Sequence, residues 1–258
     1  MRFPVYVHLG PVEILLHTLT EFGGIFIGFR YFLWIRKSTG DSIESVNRGW
    51  IIIGAIFGAL LGSRLLGGLE RPHELMAASN KLFYFYTNKT IVGGLLGGLC
   101  GVEGIKMLVH EKRKSGDLFV FPLLLALIIG RIGCFGMGVY EETYGIPADL
   151  PWAMNLGDGL KRHPVCLYEI IFLILLWITL ANTRKQKNLD EGSLFKIFLI
   201  SYLAFRFLID FIKPGERYLF GLGSIQLACL AGLLYYNKYI INPKLLLNPT
   251  SAPNNAVT

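Results

Sequence analysis

The sequence predicts an all-α polytopic membrane protein, with seven transmembrane helices around a polar intramembrane cavity. Three observations carry that prediction: 53% of the 258 residues are hydrophobic, only 17% are charged, and the apolar residues fall in blocks. A soluble globular chain carries about 25% charge, so this one lacks the polar residues to coat a watery surface of its size. Its mean hydropathy is +0.49. The same composition excludes disorder, collagen, coiled coil and a disulfide scaffold.

A stretch of about 18 or more apolar residues crosses roughly 30 Å of hydrocarbon at 1.5 Å per residue. Seven such stretches follow one another: Val12–Ile35, Trp50–Leu69, Thr90–Val109, Leu118–Gly138, Pro164–Asn182, Ser193–Ile212 and Leu219–Ile241. Strands of a membrane barrel would alternate polar and apolar residues, and blocks such as Leu118–Ile129 do not. The stretch Met1–Gly10 lacks a basic region followed by a small-residue cleavage site, so the first span is expected to be retained. One membrane domain over residues 1–247 and a disordered tail over 248–258 complete the organisation.

Orientation is read from lysine and arginine in the short loops. One alternate set carries compact clusters: Arg36, Lys37 and Arg48, then Lys112, Arg113 and Lys114, then Arg184, Lys185 and Lys187, then Lys238 and Lys244. These clusters read as a cytoplasmic topology signal, which puts the N-terminus outside and the C-terminus inside. The net charge of +7 comes without a basic stripe interleaved with exposed aromatics, so anionic phospholipid, not nucleic acid, is the expected counter-charge. Cys100, Cys134, Cys166 and Cys229 lie in or beside apolar segments without metal-ligand spacing and read as packing residues.

Function is argued from the residues that violate the hydropathy. Glu21, Arg30, Arg64, Glu103, Arg131, Glu169, Arg206 and Asp210 lie within the spans or at their ends. Each ionised group near the bilayer centre costs about 2.5–3.5 kcal/mol. Left unpaired, the group would cost on the order of 20 kcal/mol, more than the net stability of a typical domain. They must compensate one another in a protein interior or a wet cavity.

Tyr202, Arg206 and Asp210 are spaced four and four, which sets phenol, guanidinium and carboxylate on one helix face. That face is either a helix-stabilising ion pair or an anion-binding arginine oriented by an acid and a phenol. Arg131 sits in Gly130-Arg131-Ile132-Gly133-Cys134-Phe135-Gly136-Met137-Gly138, where the glycines admit either a neighbouring helix or a lipid headgroup. A guanidinium there suits an interfacial phosphate. The glycines of Thr90–Gly98 read first as a packing face. His163 and Glu169 follow Arg162 at the start of the fifth span, His17 reads as a core or interface residue, and the loop around Gly145–Met154 is anchored at the interface by Trp152.

Taken in order, these segments resemble the prolipoprotein diacylglyceryl transferase family: Gly130-Arg131-Ile132-Gly133-x-Phe135, Tyr144-Gly145-x-Pro147-x-x-Leu150-Pro151-Trp152-Ala153-Met154, and Arg162-His163-Pro164-x-x-Leu167-Tyr168-Glu169. Leu9-Gly10-Pro11, Gly62-Ser63-Arg64 and Tyr202-x-x-x-Arg206-x-x-x-acid extend the likeness over nearly the whole chain. The resemblance implies a seven-span bacterial inner-membrane enzyme with its N-terminus outside. Such an enzyme moves the diacylglyceryl group of phosphatidylglycerol onto the lipobox cysteine thiol of a prolipoprotein and releases glycerol phosphate. It also implies Arg131 at the phospholipid, and Tyr202 and Arg206 as an essential pair, with Asp210 where the family has Glu.

The chain departs from the family at several positions. The family's His before the double glycine is Val92, its signature Asn is Cys134, and a second Asn falls at or near Met137. The signature Glu falls on Val139 unless an insertion moves it to Glu141 or Glu142, and the first-span tyrosine is replaced around Glu21. The expected chemistry is therefore thiolate attack at a glyceryl carbon. Arg131 and Arg206 bind the phosphate, Asp210 and Tyr202 orient Arg206, and Glu141, Glu142 or Glu21 serves as base. Arg64, Gly145, His163, Glu169 and Glu21 complete the expected substrate pocket. No metal or cofactor is implied by sequence spacing. The alternatives are a lipid-group transferase with another acceptor, and a non-catalytic lipid-binding or transport protein, which would call for inverted repeats that the sequence does not display.

Overall fold

The computed structural model describes residues 2–186 and 188–247, so Lys187 and the tail expected over 248–258 lie outside the described residues. The chain opens with a hairpin, β1 (Tyr6–Leu9) and β2 (Val12–Leu15), turned at Gly10-Pro11 with Leu9 opposite Val12. The expected first span thus begins as strand, and α1 (Leu16–Thr39) takes over four residues later than expected. The helix α2 (Ser45–Gly68) follows, then the short α3 (Pro72–Ala77) and α4 (Lys81–Thr87). Next comes α5 (Ile91–Leu108), whose Thr90 cap accepts a 3.2 Å bond from the Gly93 amide and so fixes the helix start. The helix α6 (Val120–Met137) leads into a loop that holds the short hairpin β3 (Met154–Asn155) and β4 (Lys161–Arg162). The last helices are α7 (Val165–Gln186), α8 (Ser193–Ile209), α9 (Ser224–Tyr235) and α10 (Asn237–Ile241).

Among the described residues, four helices are long and apolar enough to cross a membrane by length and composition: α2, α5, α6 with its flanking turns, and α7. The 24 residues of α1 would suffice, but the helix carries His17, Glu21, Arg30, Arg36 and Lys37. The expected sixth span is a 17-residue helix, and the expected seventh is broken at Tyr236 into α9 and α10. The surface is that of a lipid-embedded protein. Phe22, Phe26 and Trp34 of α1, Phe57 and Leu60 of α2, and Ile171, Leu175 and Ile178 of α7 are more than half exposed. A contiguous apolar belt of this kind is unfavourable in water and matched in hydrocarbon. The interior is sealed by Leu124, Leu173, Leu180, Phe198, Leu199 and Leu203.

The packing reading of Thr90–Gly98 holds. Antiparallel α2 and α5 meet glycine to glycine, Gly54, Gly58 and Gly62 facing Gly101, Gly97 and Gly93. A Cβ built on Gly97 would lie 2.3 Å from the Gly58 carbonyl oxygen, whereas one on Gly94 meets nothing closer than 3.8 Å. Interhelical attraction in lipid comes from such close backbone contact and not from a hydrophobic effect. Gly97→Ala is therefore expected to destabilise the protein by about 1–3 kcal/mol, measured by denaturant unfolding in detergent. Gly94→Ala should leave it unchanged or slightly more stable, since alanine is the better helix former.

Not every cluster read as a topology signal is only that. Arg48 is 1% exposed. Its Nε and Nη2 donate to Asp41 at 2.7 and 2.5 Å, and its Nη1 donates to the Ser115 carbonyl at 3.0 Å. This clamp ties the loop after α1 to the loop before α6. Burial opposes ionisation of Asp41, yet hydrogen bonds from Arg48, the Ile43 amide and Arg36 hold its carboxyl below the usual carboxylate value. A depressed folded value means that Asp41 adds stability above about pH 4, which is lost as pH falls through that lower value. Asp41→Asn should flatten the acid-side fall in melting temperature, read by thermal scans from neutral pH down through the carboxylate range.

Candidate active site

The site is built around one carboxylate. Pro164 sets the first turn of α7, where its carbonyl accepts the Leu167 and Tyr168 amides, and Glu169 follows on the inward face, 1% exposed. Tyr202 and Arg206, one turn apart on α8, present their side chains to it. The Tyr202 hydroxyl donates to Glu169 Oε1 at 2.7 Å and Arg206 Nη1 donates to Oε2 at 3.2 Å. From α6, Arg131 Nε lies 2.9 Å from the same Oε2. All four side chains are buried. Two guanidinium groups therefore share one carboxylate in an apolar interior, and the cluster has one more positive charge than negative. Arg206 Nε is buried and lacks a hydrogen-bond partner among the described residues, while Arg131 Nε is engaged by Glu169.

Arg206 is oriented by Tyr202 only through Glu169, and the expected role of Asp210 does not hold. Helix side chains lean towards the N-terminus. The long Arg206 side chain therefore extends over the Tyr202 turn, where Glu169 stands, and away from Asp210. Asp210 begins the 3-10 turn that ends α8, buried, its backbone carbonyl accepting from Arg217 Nη2 at 2.6 Å. Nearby Lys213 is buried as well, and burial together with the neighbouring Arg206 pushes its ammonium below the ordinary lysine value. Nothing in the sequence spacing of Lys213 marks its burial.

The remaining expected residues divide among three places. Glu141 faces His17, with 3.2 Å between Glu141 Oε2 and His17 Nδ1, while Glu142 pairs with Arg71 at 2.6 Å. Burial lifts the Glu142 carboxyl above its usual value against the pull of Arg71. Glu21 lies 3.4 Å from His17 Nε2 and accepts from Lys89 Nζ at 2.5 Å. Arg64 stacks over the Tyr86 ring at 5.0 Å. His163 Nδ1 contacts the Tyr168 hydroxyl at 3.2 Å, and that hydroxyl accepts from Trp152 Nε1 at 2.7 Å. Gly145 packs against His163 so closely that a Cβ would lie 2.5 Å from the histidine Cβ.

Two residues read as packing prove to be part of a polar cluster. His17, Cys134 and Glu141 bring one donor atom each within 4.8 Å of one another. The expectation that no metal or cofactor is implied rested on sequence spacing, and spacing along the chain cannot register a cluster drawn from α1, α6 and the loop after α6. Gly133 makes the approach possible: a Cβ there would lie 1.9 Å from Thr20 Oγ1 and 3.0 Å from His17 Cα. Gly138, with φ of +60°, then turns the chain out of α6 towards Glu141. The signal available in the sequence was the i,i+4 spacing of His17 and Glu21, which puts both on one face.

The comparison with known proteins gives the family. The family model described as prolipoprotein diacylglyceryl transferase matches residues 4–241. The chain belongs to that family. It is similar to the phosphatidylglycerol–prolipoprotein diacylglyceryl transferase of Bordetella bronchiseptica, 33% identical over 237 residues, which cover 84% of either chain. The transferase of the same name from Methylobacillus flagellatus is 33% identical over 249 residues, covering 87% of this chain and 88% of the relative. That of Vibrio vulnificus is 28% identical over 261 residues, covering 94% and 88%. The likeness to diacylglyceryl transferases thus runs through most of the chain, and this is a helical membrane protein as the family resemblance implied.

Glu169→Gln removes the only carboxylate shared by the two arginines and leaves two buried cations in mutual repulsion. The expected loss is about 3–5 kcal/mol, seen as a lowered unfolding midpoint in detergent. Unchanged stability would show that the shared carboxylate does not hold the cluster together.

Proposed function

We propose that the protein transfers the diacylglyceryl group of phosphatidylglycerol to the thiol of the lipobox cysteine of bacterial prolipoproteins. The observation that carries the reading is the sharing of Glu169 by Arg131 and Arg206. A buried cluster with surplus positive charge, in which Arg206 Nε has no partner among the described residues, is suited to a phosphate, whose oxygens accept what the arginines still have to donate. The names and nearly full-length coverage of the relatives support the same substrates.

In this reaction the acceptor thiol loses its proton and its sulfur attacks the terminal glyceryl carbon. The C–S bond forms as the C–O bond to phosphate breaks, and the electron pair leaves with glycerol phosphate. Arg131 and Arg206 hold the phosphate and balance the charge that builds on it, Tyr202 and Glu169 fix Arg206, and the thiol gives up its proton in the pocket that holds His17 and Glu141. The bilayer supplies proximity, because lipid and signal-peptide helix already share a two-dimensional phase. One domain over residues 1–247 crosses the inner membrane seven times around this polar cavity, α1, α8 and α9 with α10 adding to the four long apolar helices. The N-terminus lies outside and the C-terminus in the cytoplasm, as the loop lysines and arginines favour.

Arg206→Ala is expected to lower transfer of labelled diacylglyceryl from phosphatidylglycerol to a lipobox peptide by about 10²–10³-fold, with Arg206→Lys retaining part of the activity. Undiminished turnover in folded Arg206→Ala would refute the assignment. Phospholipid consumption by the wild-type protein without peptide labelling would point to another acceptor, the reading that the thiol at Cys134 in place of the family's Asn favours.

A further inference from the structure

We propose that His17 Nδ1, Cys134 Sγ and Glu141 Oε2 form a binding site for a divalent metal ion of the zinc class, with a fourth position open to a thiol. The donor atoms come from three separate elements and lie within 4.8 Å of one another. His17 Nδ1 and Glu141 Oε2 face one another at 3.2 Å, and both atoms are buried. A tetrahedral ion bonded to nitrogen and oxygen at about 2.0–2.1 Å holds two such ligands roughly 3.3 Å apart. The two atoms thus already stand at the separation that such an ion requires, and an ion there displaces the proton they share.

The surroundings have the form that metal-binding histidines use. A ligating imidazole commonly hands its other ring proton to a carboxylate, which fixes the tautomer and raises the basicity of the ligating nitrogen. Here His17 Nε2 stands 3.4 Å from Glu21 Oε2, and Glu21 is itself anchored by Lys89 Nζ at 2.5 Å. With Glu21 beside Nε2, it is Nδ1 that faces the cluster. On the sulfur side, Arg131 Nη1 lies 3.6 Å from Cys134 Sγ.

The donor set then selects the ion. One sulfur, one nitrogen and one oxygen suit borderline-soft zinc better than magnesium or calcium, which take oxygen alone. Thiolate and carboxylate cancel the charge of a dication, so occupancy adds no net charge to the interior. Three protein ligands with a free fourth position is the pattern of reactive zinc sites. His17 and Glu141 keep side-chain exposures of 17% and 26%, which leaves that position reachable.

On binding, the ion forms a bond to Cys134 Sγ and the thiol proton goes to water. A second thiol arriving at the fourth position does the same: a metal–sulfur bond forms and one proton is released, because coordination deprotonates a thiol at neutral pH. Only this last use rests on the proposed transferase function. The held thiolate would then be the sulfur that attacks the glyceryl carbon, with Glu141 serving as a ligand and the metal, in place of a side-chain base, promoting loss of the proton.

The experiment uses the full-length protein in detergent, stripped with chelator and titrated with Co²⁺. Expected are saturation at one ion per chain, visible d–d bands of a tetrahedral site and a near-ultraviolet thiolate-to-cobalt band that intensifies when a cysteine peptide is added. Cys134→Ser should abolish the charge-transfer band, and His17→Ala should abolish saturable binding. Glu21→Gln should weaken binding about 10–100-fold while leaving the spectrum unchanged. No charge-transfer band in the wild type, or binding unaffected by His17→Ala and Cys134→Ser, would overturn the site. Full transfer activity in chelated protein would overturn the metal's part in thiol activation and leave the transferase reading intact. Metal binding without any transfer would do the reverse.

Discussion

The structure depends on a carboxylate that two arginines cannot do without. Glu169 is buried on α7, and Arg131 from α6 and Arg206 from α8 converge on its Oε2 while Tyr202 occupies its Oε1. Alone, none of these charges could be held in hydrocarbon at tolerable cost. Together they fasten three helices at one point and still leave positive charge unspent. Stability and the proposed hold on a phosphate thus have a common origin in the same three charged side chains.

Around that point the chain uses glycine to set distances. Gly133 brings α1 against α6 at His17, Gly145 brings the following loop against His163, and the glycines of α2 and α5 bring two backbones into contact. Positions in Gly130–Gly138 that an amphipathic pattern would assign to featureless packing are therefore what places Cys134 beside His17. The loop after α6 is tied in by backbone bonds, Ile146 N to the Ile212 carbonyl at 2.9 Å and Val139 N to the Leu156 carbonyl at 3.1 Å. Those bonds fix the ends of α6 and α8 relative to one another.

Much of this was legible in the sequence. The apolar blocks located every long helix, and the four-residue spacing of Tyr202 and Arg206 correctly set both on one face. What spacing could not supply was partnership across the fold. Asp210 is Arg206's neighbour along the helix, but Glu169, 37 residues earlier, is its partner in space, because side chains on a helix lean back towards its start. The cluster of His17, Cys134 and Glu141 was hidden for the same reason, and the burial of Arg48 and Lys213 because charge counting treats a loop lysine or arginine as solvated. The hairpin before α1 escaped because Val12–Leu15 is as apolar as the helix it precedes.

The seam between α2 and α5 carries a consequence for motion. Where backbones touch there are no rotamers to rearrange, so that pair behaves as one stiff plank. Any breathing that lets a two-chained lipid slip sideways into the protein must be borne by joints made of larger, slidable side chains. Phe172 of α7 and Phe205 of α8, their rings stacked with centroids 4.1 Å apart, form one such joint, beside Glu169 and Tyr202 on the same two helices. The glycine seam thus resists displacement where the aromatic joint has side chains that can slide.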